Sequence, residues 1–94
     1  MTFSEIVERM SRGLDASRLS EVLKFDCGAD GVITLGPDGV GTVERDADCT
    51  IRISTDNLGK LITDKLNPMT GVMMGKLKVS GNPAVAMKLG KLIS

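Results

Sequence analysis

The 94-residue chain has room for one domain, residues 1–94, built on one core, and is too short for an (α/β)8 barrel or a full dinucleotide-binding fold. Twelve basic residues against twelve acidic ones leave no global positive field to hold nucleic acid or an anionic membrane, while 41% hydrophobic and 26% charged residues describe a globular composition. With no His, and with Cys27 and Cys49 far apart, the chain cannot form a Ser-His-Asp or Cys-His pair, an imidazole metal site, a four-thiolate zinc site or a C-x-x-C redox motif.

Phe3, Ile6, Val7 and Met10 recur at helical spacing, with Thr2 and Glu5 in capping-box register and Glu5-Arg9 and Glu8-Arg12 four apart. This predicts an amphipathic helix ending near Gly13, with room for one further turn between Leu14 and Ser20. Leu23, Phe25 and Cys27 then alternate with Lys24 and Asp26 as a strand. Asp30-Gly31 supplies a tight hairpin, Val32 to Leu35 a second strand, and Pro37-Asp38-Gly39 the next turn. Val40 to Glu44 reads as a short edge strand, because Gly41 has nothing to pack and the segment ends in charge. Cys49, Ile51 and Ile53 alternate with Asp48, Thr50 and Arg52, so one face of that strand is wholly apolar.

From Ser54 or Thr55 the period becomes helical, with Leu58, Leu61, Ile62 and Leu66 on one stripe. Asn67-Pro68 opens a short helix that carries Met69, Val72 and Met73 on one side and closes at Gly75. Leu77 and Val79 mark a last strand, and Asn82-Pro83 opens a last helix through Val85, Met87, Leu89, Leu92 and Ile93. The order predicts an α+β fold, a sheet with helices on one face.

Other signals resolve into structure rather than chemistry. The run Gly71-Val72-Met73-Met74-Gly75-Lys76-Leu77 has the wrong glycine spacing and the wrong helix-to-strand order for a phosphate loop. Glu44, Asp46 and Asp48 read as a solvated charged turn, so neither a metal nor any other cofactor is expected. Both cysteines read as buried thiols, and no basic, apolar leader or run of about 18 apolar residues is present, so a soluble, cytoplasmic protein without stable membrane insertion is expected.

The apolar inventory is unusual: six Met accompany two Phe and no Trp or Tyr. Such side chains either fill an irregular core or mould a cavity to an oily ligand. A permanently empty cavity of about 400 Å³ would cost on the order of 10 kcal/mol, comparable to the whole stability of a small domain. Any pocket must therefore be occupied, collapse through Met rearrangement, or close by movement of an element such as the last helix.

The segments Ala47-Asp48-Cys49-Thr50-Ile51-Arg52-Ile53-Ser54, Leu66-Asn67-Pro68, Gly75-Lys76-Leu77-Lys78-Val79-Ser80-Gly81-Asn82 and Ala86-Met87-Lys88-Leu89 together resemble the sterol carrier protein 2 family of lipid-transfer domains. The resemblance implies a five-stranded sheet covered on one face by helices, with a hydrophobic tunnel between the layers for a fatty acid, an acyl-CoA or a sterol. It departs from the family in lacking an aromatic residue in Val32 to Leu35 and a Gln at Met87, in carrying Gly59 and Gly71 where larger residues are common, and in being shorter around the third strand. These glycines suggest either a wider or a more collapsible pocket, and the short strand a more open tunnel mouth.

The resulting expectation is a non-enzymatic carrier. Ile33, Leu35, Ile51, Ile53, Leu77 and Val79 would form the sheet-side wall, and Leu61, Ile62, Leu66, Met69, Met73, Val85, Met87 and Leu89 the helix side. Lys60, Lys65, Lys76, Lys88 and Lys91 would meet a carboxylate or phosphate head at the rim. The alternatives are an interaction module whose apolar groove takes a partner helix or a second copy as a homodimer, and an accessory domain presenting substrate in a lipid or quinone pathway.

Overall fold

The computed structural model describes residues 1–15 and 19–93, with side chains up to Lys88. The first helix, α1 (Phe3–Gly13), begins at a complete capping box: the Thr2 hydroxyl accepts the Glu5 N–H at 3.2 Å, and Glu5 Oε1 accepts the Thr2 N–H at 3.0 Å. Ile6 and Met10 point into the core, and Phe3 and Val7 pack at its margin. The further turn expected between Leu14 and Ser20 falls partly on residues 16–18, outside those described.

β1 (Leu23–Asp26) and β2 (Val32–Gly36) pair antiparallel, with Phe25 opposite Ile33. Their connection is longer than the tight Asp30-Gly31 turn expected. A 3-10 turn at Gly28–Asp30 lies between them, and the left-handed positions are Gly28 (φ 65°) and Gly31 (φ 122°) rather than Asp30. Asp26 explains the difference, because its carboxylate accepts the Gly28 N–H at 2.9 Å and starts the bend early. Pro37 and Asp38 form the two-residue turn between β2 and β3 (Gly39–Gly41).

β3 stops at Gly41, short of the expected Glu44, because the chain leaves the edge there and recrosses the sheet. The strand order is β3-β2-β1-β4-β5, where β4 is Cys49–Ile53 and β5 is Leu77–Gly81. β4 therefore lies parallel to β1, and every other pair is antiparallel. Residues 42–48 must span three strand spacings, about 14 Å, which seven residues reach comfortably. They cross on the face opposite the helices. There Lys24 Nζ pairs with Glu44 and donates to the Arg45 carbonyl at 3.1 Å, while Arg45 pairs with Asp38 at 3.0 Å.

Asp48 completes the crossing: its carboxylate accepts the Val22 N–H at 2.8 Å, its own N–H donates to the Val22 carbonyl at 2.9 Å, and its carbonyl accepts the Asn82 N–H at 2.9 Å. Of the acidic turn residues, Glu44 and Asp48 thus serve the topology.

α2 (Thr55–Ile62) is capped by Ser54, whose hydroxyl accepts the Asn57 N–H at 3.1 Å; the Thr55 hydroxyl donates instead to Asp30 at 2.5 Å. α3 (Pro68–Met73) and α4 (Pro83–Ile93) both start at Asn-Pro, with the Asn67 and Asn82 side chains accepting helix N–H groups. One core runs between the sheet and the helices: Leu23, Phe25, Ile33, Leu35, Cys49, Ile51, Ile53 and Leu77 from the strands meet Ile6, Met10, Leu58, Leu61 and Val85 from α1, α2 and α4. Among the described residues, no helix is long and apolar enough to cross a membrane.

Candidate functional site

The sheet side of the expected wall is assembled as the alternation requires. Ile33, Leu35, Ile51, Ile53 and Leu77 are buried on one face of adjoining strands, and Val79 is half-buried opposite Ile51. From the helix side Leu61, Leu66 and Val85 are buried and Ile62 is partly so. These Ile, Leu and Val side chains are hydrocarbon throughout, and among the described residues no buried side-chain N or O lacks a hydrogen-bond partner. An apolar chain meeting this surface would face no polar group to desolvate.

The methionines break the expectation. Met69, Met73 and Met87 are exposed by 74%, 85% and 76%, where inward-facing positions were predicted. Val72 and Met74, outside the predicted set, are also exposed. The stripe on α3 is real, since Met69, Val72 and Met73 share one helix face, but it is the face turned away from the core. The buried residue of α3 is Gly71.

The cause is a close approach to β5. A Cβ on Gly71 would lie 2.9 Å from Leu77 Cδ2 and 3.6 Å from Leu66 Cδ2, so the inner face of α3 has no room for a large side chain. Gly59 similarly lets α2 come close to α1, with Met1 and Ile6 within 3.7 Å of the missing Cβ. Both glycines therefore allow close packing at these two points, which speaks against the wider of the two expected pockets. Leu89, Lys91, Leu92 and Ile93 lie outside the described side chains.

A separate depression of about 210 Å³ lies at the short third strand, bordered by Thr34, Asp38, Gly39, Val40, Gly41, Val43 and Arg45. It is smaller than typical ligand pockets, which start near about 300 Å³, and none of the predicted wall residues borders it.

Among the rim lysines with described side chains, Lys88 is tied into the fold. Lys88 reaches from α4 to both carboxylate oxygens of Glu21 at 2.8 Å, and this hydrogen bond holds Glu21 below its ordinary pKa. Lys60 is exposed on α2, Lys65 is exposed just before α3, and Lys76 is half-buried just beyond it. Burial pushes both thiols up: Cys27 is desolvated against a partly offsetting Thr55 hydrogen bond, and Cys49 is desolvated beneath α4. Such thiols are poor nucleophiles.

The profile of the SCP-2 sterol transfer family matches residues 3–94. A stretch of 32 residues, 34% of this chain and only 6% of the relative's length, is 56% identical to sterol carrier protein 2 of Gallus gallus. The fold is similar to palmitated SCP2L2 from Aedes aegypti (TM-score 0.76, 22% identity, 99% of this chain and 95% of that one). It is also similar to part of the sec-alkylsulfatase Pisa1 from Pseudomonas sp. (TM-score 0.76, 17% identity, 100% of this chain and 16% of that one). A match that runs from the first turn of α1 to the last residue, on a five-stranded sheet with the helical cover described above, establishes that the chain belongs to the SCP-2 sterol transfer family.

Proposed function

We propose that the protein carries a single hydrocarbon-chain lipid, a fatty acid or its acyl-CoA ester in preference to a sterol, between the sheet wall and the α3–α4 side of the helical layer. Lipid binding and transfer belong to the family as a whole; the ligand and its position are the proposal. The observation that carries it is the attachment of α3: a six-residue helix contributes only a glycine to the core and holds Met69, Val72 and Met73 in water. An element held by so little buried side-chain area opens at low cost. Once it lifts, Leu66 and Leu77 are uncovered, and rotation brings unbranched, adaptable methionines against the guest.

This reading requires no permanently empty void, because ligand binding provides the free energy for opening, so occupancy raises stability through mass action. An acyl chain suits the site better than a rigid ring system, because it can thread between layers that separate only locally. The palmitate on the mosquito domain of similar fold is consistent with this choice. No covalent chemistry is assigned to the domain.

The test is native mass spectrometry of protein purified without delipidation, followed by thermal scans with palmitate, palmitoyl-CoA and cholesterol. The expected result is a one-to-one acyl adduct and a melting temperature raised by several degrees with the acyl ligands, about 2.7 kcal/mol at a hundredfold excess over Kd. Absence of both an adduct and a shift would remove the carrier reading. A second reading, an accessory domain that presents lipid to a separate catalytic unit, is favoured by the sulfatase, in which the matched portion is a minor part of a larger enzyme. Pull-down from native lysate would separate a free carrier from a docked one.

A further inference from the structure

The balanced net charge conceals a segregation along the chain. Residues 1–56 carry eleven acidic and six basic side chains, whereas residues 57–94 carry six lysines and a single acid, Asp64. The two parts therefore hold net charges of −5 and +5. The positive part is also where the large exposed apolar side chains concentrate: Met69, Val72, Met73 and Met74 on and just after α3, and Met87 on α4, with both helices packed against β5.

Lys65 precedes α3 by three residues and Lys76 follows it by three, so the oily face is flanked at both ends by ammonium groups. Among the described residues Lys60, Lys65, Lys76 and Lys78 enter no ion pair, while Lys88 is taken by Glu21.

We propose that this methionine and lysine face is a docking surface for an anionic lipid bilayer. α3 would lie in the plane of the surface, with Met69, Val72 and Met73 pressed into the headgroup–acyl boundary and Lys65 and Lys76 against lipid phosphates. The composition selects a membrane over other occupants. Protein hot spots draw on Trp, Tyr and Arg for rigid, directional anchoring, and this face has none of them. Unbranched methionines and long lysine stems match a fluid, non-specific surface, where the stem lies along the apolar layer and the ammonium stays at the headgroups. A second copy meeting the same face would bring one positive surface against another. Docking needs no spanning segment.

The experiment is vesicle flotation of the full chain with phosphatidylcholine vesicles, with and without about 30 mol% phosphatidylserine. The expected result is binding to the anionic vesicles only, weakened in roughly 0.5 M salt. The double variant Met69→Ser/Met73→Ser should lower partitioning by about a hundredfold, and Lys65→Glu/Lys76→Glu by about twenty-fivefold or more. Val43→Ser, which removes an equally exposed apolar side chain from the acidic part, should leave binding unchanged.

All these positions except half-buried Lys76 are exposed, so the variants should melt close to the parent, and Lys65→Glu alone keeps the charge arm readable if the double variant does not fold. No binding to the anionic vesicles, or binding that survives the methionine changes, overturns the proposal. A mass that grows with protein concentration in the parent but not in the methionine variant would assign the face to self-association and overturn it equally. The flotation measurement reads the outer face alone, so its failure leaves the acyl-chain reading standing.

Discussion

The four strands β1, β2, β4 and β5 with α1 and α2, set against α3 and the start of α4, show two uses of the same kind of residue. In the first region apolar side chains are consumed by the fold: Ile6, Leu23, Phe25, Ile33, Leu35 and Leu58 have no exposed surface. In the second, Met69, Met73 and Met87 are left largely in water, and the helix that carries two of them is seated through a glycine. Large oily groups that stability does not require are the ones available for binding. The comparison teaches that hydrophobicity alone does not separate the two uses; how closely the backbone of each element approaches the sheet does.

The sharpest way to break this contrast is to shorten one side chain in each region. Phe25→Ala removes a fully buried ring and should cost about 3–5 kcal/mol, enough to leave a domain of this size at the edge of folding in a urea titration. Met73→Ala should change the same titration by less than about 0.5 kcal/mol. Comparable losses from both would mean that α3 belongs to the core after all.

Two glycines give a finer comparison. At Gly81 φ is 89°, and an added Cβ would lie 2.5 Å from the Asp48 carbonyl oxygen, in the junction that ties β4, β1 and the start of α4 together. The crowding atoms belong to the Asp48 and Cys49 backbone and cannot rotate away, so Gly81→Ala should destabilise by about 2–3 kcal/mol. At Gly71 the crowded atom is the tip of Leu77, which can rotate, and alanine gains about 1 kcal/mol of helix propensity. Gly71→Ala should therefore shift the melting midpoint little, with faster amide exchange in α3 as the helix is displaced. Asn67→Ala should fall between them, at about 1 kcal/mol, because it removes the acceptor for the Met69 and Thr70 N–H groups. Its effect should appear mainly as lost protection at Gly71 and Met74.

How much was legible in the sequence differs between the same regions. Two-residue alternation in Leu23 to Asp26 and Cys49 to Ile53 fixes which face of each strand is buried, and the Thr2-Glu5 and Asn-Pro signatures locate helix starts to the residue. Those signals are local and chemically forced. The placement of β4 beside β1 was not legible, because it depends on where residues 42–48 recross the sheet and on Asp48 reaching Val22. Nor was the outward turn of α3: periodicity shows that Met69, Val72 and Met73 share a face, but only the distance to Leu77 shows that the opposite face is the one that fits. A lone glycine midway through a six-residue oily helix is the one local hint of that approach.

The smallest expected effect concerns how α4 is held. Glu21 and Lys88 join the chain just before β1 to α4 by two 2.8 Å contacts, and the pair lowers the Glu21 pKa from its ordinary 4.5. A carboxylate whose pKa is depressed on folding adds stability above its unfolded value, and that contribution is lost as the pH falls through the folded value. The window therefore lies below pH 4.5, on the acid side only. Glu5 is depressed as well, by its hydrogen bonds with Thr2, but α1 keeps Ile6 and Met10 in the core when that cap is protonated. Between about pH 6 and about pH 3, intrinsic-rate-corrected amide exchange should accelerate at Val85 and Met87 before it does at Ile6 and Met10. Glu21→Gln should remove most of that difference by loosening α4 at every pH. If α4 and α1 lose protection together, the carboxylate is not what fastens the last helix, and apolar burial of α4 residues such as Val85 holds it instead.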